Sequence, residues 1–441
     1  MKILFLENRY KTYFFDAIAT HLEKNGHEIH WIIQNDFFQP KNKSNLHIIE
    51  YPKKYSVDKQ KPIDASMQKI IDADRQLNFF EHGNIDHFFY YDEEINRILK
   101  KINPDLVFGE STVFHELLTV KNCKALGILY LNPSSSRYPA GRFSFYEFDS
   151  LTPFEGSGEI LPEERAKEII DQIVYRKTKP DYMHKFKSNR LKNFKDTFLK
   201  LSSYYKGDKY NTPHPLKKYR LEKKKNENIL AWDATSVGHL ENHTGMKILY
   251  PLQMQPEANL DVWGHKYRNQ TNLVRRIIEN TPSSAILYIK PNPKSKYELS
   301  DDLIDYVKSC DRIITIQHNV DMIEVFDKID LVITVTGTIA IESILSNKPV
   351  ITLQNTLNNS SPNCLFLDDF SELPFVIQKI QSNEFPKASI DERIQFLNKL
   401  NASSYQGIIS DPFTAESCLQ DDNIEQCISA FEDIIKKSVY A

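Results

Sequence analysis

Cysteine is scarce and unpatterned in this chain of 441 residues. Cys123, Cys310, Cys364, Cys418 and Cys427 are odd in number, scattered, and contain no CxxC pair. That excludes a disulfide framework and a thiolate zinc site, and fits reduced thiols in a cytosolic protein. No window approaches the roughly 18–20 apolar residues needed to span a bilayer. The opening MKILFLENRY has no signal-peptide core, because Glu7, Asn8 and Arg9 interrupt it at once. Charge of either sign is not in excess: the net charge of -3 argues against general polyanion binding. There is no solenoid repeat, no GxGxxG after the first strand and no DxD-type acidic cluster in the place a metal site would require. Asp301-Asp302 and Asp368-Asp369 suit a helix start and a loop instead.

What is present is alternation of short apolar runs with helical periodicities. Lys2–Leu6 reads as a strand. Phe14, Phe15, Ile18, Ala19 and Leu22 follow at helical spacing, and His27–Ile33 reads as the next strand, a β-α-β opening that predicts a parallel sheet. The turn Glu7–Tyr10 then lies at a carboxyl strand end, where open α/β sheets place ligands. Residues 35–92 give only mixed helical signals. Ile95–Ile102 reads as a helix, Pro104–Glu110 as a strand ending in an acid, His115–Ala125 as a helix and Gly127–Leu131 as a strand. That strand runs into a predicted loop, Asn132–Arg142, whose Ser134, Ser135 and Ser136 supply hydroxyls. Its Arg137 and Arg142 supply cations suited to carboxylate or phosphate, to an acceptor phosphate, or to structural ion pairs.

Arg176–Lys225 is strongly basic with interleaved aromatics. It reads as a helical extension with a solvated basic face, or as a patch for anionic lipid headgroups or an anionic acceptor. Asn211–Pro215 and Lys223–Lys225 read as a linker. A second β/α series follows, with strands at Lys247–Tyr250, Ala285–Lys290, Arg312–Ile316, Leu331–Val335 and Val350–Leu353. The small residues Thr336-Gly337-Thr338 stand between a strand and a helix carrying Ile339, Ile341, Ile344 and Leu345. Such a turn suits a phosphate, since helix N-termini present unpaired N–H groups. It also suits an ordinary βαβ corner. The expected division is 1–215 (with the basic extension at about 160–215), 225–400, and a helical tail 401–441 packing back toward the first domain.

Five motifs go further. PLQMQPEA at 251–258, KPNP at 290–293, VTGTIAIES at 335–343, FGEST at 108–112 and NPSSSRYPAGRFSFY at 132–146 together resemble the bacterial capsular polysaccharide synthesis family. That family includes β-Kdo transferases of capsule assembly. The resemblance implies a GT-B-like α/β fold of two Rossmann-like domains facing across a cleft. It also implies a metal-independent glycosyltransferase without a resident cofactor, using a nucleotide-sugar, with a CMP-linked ulosonic acid as the expected donor. The acceptor is a glycan or lipid-linked glycan, with peripheral membrane contact through 176–225 and no nucleic acid. Glu110 is the expected catalytic carboxylate, as general base in an inverting transfer or nucleophile in a retaining one. Its structural alternative is a cap on the following helix. Gln253, Gln255, Glu257, Lys290, Asn292, Pro293, Thr336, Gly337, Thr338 and Glu342 are expected at the nucleotide, with Glu342 on the ribose. Related CMP-dependent enzymes commonly carry His-Pro where this chain has Asn292-Pro293. The alternatives are a UDP-sugar 2-epimerase on the same architecture, a transferase using UDP- or GDP-sugars, and a non-catalytic assembly or export partner.

Overall fold

The computed structural model describes residues 1–43, 45–52, 62–80, 82–177, 190–240 and 243–439. In chain order the strands are β1 Lys2–Leu6, β2 Glu28–Ile33, β3 Leu46–Ile48, β4 Leu106–Phe108, β5 Leu129–Ser135, β6 Arg142–Glu147 and β7 Lys247–Pro251. They continue with β8 Ile286–Lys290, β9 Ile313–Thr315, β10 Leu331–Thr334, β11 Val350–Thr352, β12 Cys364–Phe366 and β13 Tyr405–Gln406. The chain divides into two compact units. The first holds Met1–Ile160, Lys179–Pro215 and Leu400–Ala441, and the second holds Leu161–Thr178 and Leu216–Lys399.

The first unit is built on a seven-stranded sheet in the order β13-β6-β5-β4-β1-β2-β3. β1 to β5 run parallel, while β5–β6 and β6–β13 are antiparallel. β1 is followed on one side by β2 and on the other by β4, so the direction of winding reverses between β1 and β4. In open α/β sheets that reversal point, at the carboxyl strand ends, is where ligands are held. Phe5, Phe15, Trp31, Phe108, Phe143 and Phe145 fill the core under this sheet. The tail helix Asp421–Ser438 buries Cys427, Ala430, Phe431, Ile434 and Ile435, and Phe431 meets Phe108 at 4.8 Å and Phe145 at 4.9 Å between ring centroids. Burying one such aromatic contributes roughly 1.5–3 kcal/mol, so the tail is part of the core.

The second unit carries a wholly parallel six-stranded sheet, β12-β11-β10-β7-β8-β9, with its reversal between β7 and β10.

Several expectations are corrected. Helix Glu163–Val174 belongs to the second unit, not to an extension of the first. Its Ala166, Ile170 and Ile173 form a buried stripe, and it packs beside helix Ile339–Leu345. Lys223–Lys225 lie inside helix Pro215–Asp233 and are no linker. Helix Asp86–Ile102 is about twice the length predicted, because its first turns use His87, Phe88 and Tyr91 for the buried stripe that aliphatics carry later. The predicted loop Asn132–Arg142 is largely an antiparallel hairpin, with Ser134 opposite Ser144 and Ser135 opposite Phe143. Lys179, Tyr182, Met183, Lys185, Phe186 and Lys187 of the basic segment lie outside the described residues. Among the described residues no helix is long and apolar enough to cross a membrane.

Candidate functional site

At the reversal point of the first sheet, Asn8 follows β1 and Glu110 follows β4. Gly109 sets the approach: a Cβ there would stand 2.5 Å from the Tyr130 hydroxyl and 2.8 Å from Leu6 Cδ1, so only glycine lets the backbone lie against them. The Tyr130 hydroxyl donates to the Glu110 carbonyl. The two protons of the Asn8 amide are divided between two carboxylates, Glu110 Oε2 at 2.8 Å and Glu116 Oε1 at 2.7 Å. The other Glu110 oxygen pairs with the Lys11 ammonium.

Glu116 is fully buried, in the first turn of helix Phe114–Leu126. It accepts from the backbone N–H of Thr112 at 2.9 Å and of Val113 at 3.1 Å. Burial, and then the neighbouring Glu110 charge, push its carboxyl up to about 7. The helix cap is therefore made by Glu116, not by Glu110. Glu110 keeps about a fifth of its side chain open to solvent, the accessible carboxylate of the two. The arrangement is a carboxylate held by one amide and one cation and presented at the rim, suited to accept a proton or attack a carbon.

Behind it stands a buried ring. Glu7 accepts from the N–H of Arg9 at 2.6 Å and of Asn35 at 2.9 Å, yet burial pushes its carboxyl up to about 8. His115 donates from Nε2 to the Glu7 carbonyl at 2.9 Å, and burial lowers it to about 4, so it stays neutral. Arg9 donates to Asn211 O and Thr212 Oγ1. The unfolded chain releases the Glu7 proton near 4.5, so the stability tied to that proton is full below 4.5 and lost as pH rises through about 8. A tenfold change in proton affinity is worth about 1.4 kcal/mol, making the decline on the order of a few kcal/mol. His115 acts only below its ordinary 6.5, where stability falls with falling pH. Glu7→Gln is expected to flatten the loss of urea stability between pH 6.5 and above 8, leaving the smaller share of Glu116. An unchanged slope would refute the buried proton on Glu7.

The hairpin serines and arginines separate. Ser134 and Ser135 pair in the sheet, Ser136 Oγ lies 2.9 Å from Ser144 Oγ, and Arg137 stands in the turn with φ +69 and donates its N–H to Ser135 Oγ at 3.4 Å. Arg142 is buried, and its guanidinium is consumed by the protein. It donates to Ser404 Oγ at 2.8 Å, Glu159 at 2.8 Å, Ser157 Oγ at 3.1 Å, Asn401 O at 3.1 Å and Ser404 O at 2.9 Å. The expected ligand clamp at Arg142 is corrected: it forms the structural ion pair.

In the second unit two carboxy-terminal motifs meet at the reversal point between β7 and β10, and the third, 290–293, follows the adjacent strand β8. Gln253 Nε2 donates to Thr334 Oγ1 at 3.2 Å, and Gly337 N donates to the same hydroxyl at 3.2 Å. A Cβ on Gly337 would lie 2.9 Å from Thr334 Oγ1, so the glycine permits this close turn. Tyr297 N donates to Gln255 O at 2.8 Å, and Lys296 Nζ to Pro256 O at 3.2 Å, which ties the 291–298 loop to the 253–257 loop. Lys290 ends β8 with Nζ at 3.3 Å from Pro291 O and 3.4 Å from His318 O; burial lowers it to about 8. Asn292 Oδ1 accepts from Lys294 N at 2.8 Å, just before Pro293. Thr336 Oγ1 donates to Asn259 O at 3.3 Å, and Thr338 leads helix Ile339–Leu345 without a side-chain cap.

Two further corrections follow. The Gln255 amide is taken up by Asp261 at 2.9 Å, Arg268 O at 3.0 Å and Gln270 at 2.9 Å, so Gln255 holds the polar turn together. Glu257 closes the same turn through its N–H on Asp261 at 2.9 Å. The Glu342 carboxylate is not an open acceptor, since Arg176 pairs with it at 2.6 Å while lying 4.8 Å over the Phe326 ring. Sequence reasoning named the Glu7–Tyr10 turn as a ligand-bearing place but missed Asn8, Lys11 and Glu116 as partners of Glu110. The signal available was that turn's position after β1.

Two Rossmann-like units, each with its polar loops at a winding reversal, make this a two-unit α/β protein. Residues 159–358, a little under half of the chain, match the family described as capsule polysaccharide biosynthesis protein. No curated protein matches the chain. Among solved structures, the UDP-GlcNAc 2-epimerase from Methanocaldococcus jannaschii is 16% identical with a TM-score of 0.28, covering 91% of this chain and 97% of that one. The UDP-GlcNAc 2-epimerase from Neisseria meningitidis is 12% identical with a TM-score of 0.31, covering 91% and 97%. KpsC from Thermosulfurimonas dismutans, a β-Kdo 2,7 transferase, is 13% identical with a TM-score of 0.34, covering 76% and 88%.

Proposed function

We propose that the protein is a metal-independent glycosyltransferase of bacterial surface polysaccharide biosynthesis. It moves a Kdo-type or sialic- or pseudaminic-type ulosonic acid from its CMP donor to a glycan acceptor of capsule or lipopolysaccharide. The observation that carries this reading is the capsule-family match, which spans the motifs gathered at the β7/β10 reversal. Glu110 supplies the reactive carboxylate, as base toward the acceptor hydroxyl or as nucleophile toward the anomeric carbon. Lys11 and Asn8 orient it. Thr336, Gly337 and Thr338 face the donor phosphate once the Thr334 contact yields, and Lys290 and Asn292 stand at the neighbouring strand end. The Arg176–Glu342 pair must open, or be spanned, for Glu342 to reach a ribose.

A donor-hydrolysis assay across CMP-, UDP- and GDP-sugars tests the donor. Turnover is expected with CMP-linked ulosonic acids. Turnover with UDP- or GDP-sugars alone removes the CMP assignment, and release of free N-acetylmannosamine from UDP-GlcNAc replaces transfer with epimerisation.

A further inference from the structure

Helix Arg190–Lys206 of the first unit carries an apolar stripe that the described residues leave uncovered. Phe194 is 72% exposed, Phe198 65%, Leu201 39% and Tyr205 71%. At 3.6 residues per turn these four positions fall within about 60° of arc. The opposite face is the packed one, where Asp196 and Ser203 are buried. Single exposed apolar residues are commonplace; a continuous stripe of large ones marks an interaction surface.

The charges say what covers it. The helix contains Arg190, Lys192, Lys195, Lys200 and Lys206 against Asp196 alone. Asp196 lies on the inner face, where it pairs with Lys200 at 2.5 Å. Lys195 and Lys206 are exposed beside the stripe. On this helix the outward aromatic and aliphatic side chains have Lys195 and Lys206 beside them and no outward acid, which matches the interfacial region of an anionic bilayer, with rings among the acyl chain ends and ammonium groups at the headgroup phosphates. A protein partner of ordinary composition would be expected to meet an acid on this face as well.

We infer that helix Arg190–Lys206 is a membrane-docking element that inserts Phe194, Phe198, Leu201 and Tyr205 into an anionic lipid surface. This deepens the proposed function, because it brings the protein to where a lipid-linked glycan acceptor lies, but the docking itself does not require transfer.

Co-sedimentation with phosphatidylglycerol-containing vesicles, against pure phosphatidylcholine vesicles, tests it on the full chain without donor or acceptor. The wild type is expected to bind the anionic vesicles, and the double variant Phe194→Ser, Phe198→Ser to bind at least about tenfold more weakly. Far-UV circular dichroism checks that the helix persists. Phe198→Trp, which keeps the apolar character, should show a blue-shifted emission on anionic vesicles. No binding by the wild type, equal binding by the double variant, or an unshifted tryptophan each overturns the inference. Self-association of the wild type that the serines abolish, without vesicle binding, assigns the stripe to a second copy instead. Donor hydrolysis measured without vesicles reads the proposed function separately, so failure of one is distinguishable from failure of the other.

Discussion

Glu110→Gln is expected to lower acceptor-dependent transfer by about 10²–10⁴-fold while leaving donor binding unchanged. Glutamine keeps the shape and one oxygen for the Asn8 amide, so the hydrogen bond to Asn8 survives. It removes the negative charge that Lys11 faces and the lone pair that takes a proton or attacks carbon. Glu116 does not substitute, because its oxygens are spent on Asn8 and on the N–H groups of Thr112 and Val113 with no exposed surface. The measurement is kcat with saturating donor and acceptor, beside equilibrium binding of the nucleotide. If Glu110 is a nucleophile, rapid quench of the wild type with donor alone yields a glycosyl adduct on Glu110. If it is a base, no adduct forms. Near-normal transfer by Glu110→Gln would remove it from the reaction altogether.

Arg142→Ala has its large effect elsewhere, on stability. The five hydrogen bonds of the guanidinium join β6 to the segment 401–404 and to Ser157 and Glu159. Truncation removes all five bonds at once: the Asn401 carbonyl keeps only Ser404 and the Ser404 carbonyl only the N–H of Ser157, while Glu159, partly open to solvent, loses its cation. Hydrogen bonds to a charged group are worth about 1.5–3 kcal/mol each and do not simply add, so the loss is on the order of a few kcal/mol. The expected result is a lowered urea midpoint with donor affinity unchanged in the folded fraction. A variant of native stability and impaired donor or acceptor affinity would instead restore Arg142 as a ligand clamp.

The contrast between these two residues shows what the sequence carries. Both were visible as chemistry: an acid at the end of a buried strand, and an arginine in a serine-rich stretch. Glu110 could be placed because its position depends on local features, an apolar run and a glycine. Arg142 could not, because three of its five hydrogen bonds go to Asn401 and Ser404, more than 250 positions later in the chain, by way of the return of β13 to the first sheet. The same holds for Asn8. It follows β1 and touches Glu110 only because β1 and β4 are neighbours, which is a property of strand order and not of spacing.

The alternating β/α series and most strands of both sheets were legible from short β-branched runs and helical periodicities. The segment between β2 and β4 was not, since its helix stripes are built from His87, Phe88 and Tyr91 and do not stand out from polar aromatic surroundings. In the second unit the motif residues stood out as strand-end loops, but their protein partners did not. Gln253, Gln255 and Glu342 are polar residues in a strand-end region, and sequence alone does not say whether an amide or carboxylate there faces a ligand or a protein partner. The buried positions of Asp261 and Gln270 decide this for Gln255, and the ion pair with Arg176 decides the resting partner of Glu342.

Transfer of a sugar to a glycan is read directly by product analysis. Purified protein is incubated with a CMP-linked ulosonic acid and a surface-glycan acceptor in the presence of a chelator, and the acceptor is weighed by mass spectrometry. The expected result is a gain of one ulosonic acid residue per acceptor, release of one CMP for each transfer, and loss of both with Glu110→Gln. An acceptor of unchanged mass while UDP-sugar is epimerised in solution, or a gain that disappears with the chelator, would contradict it.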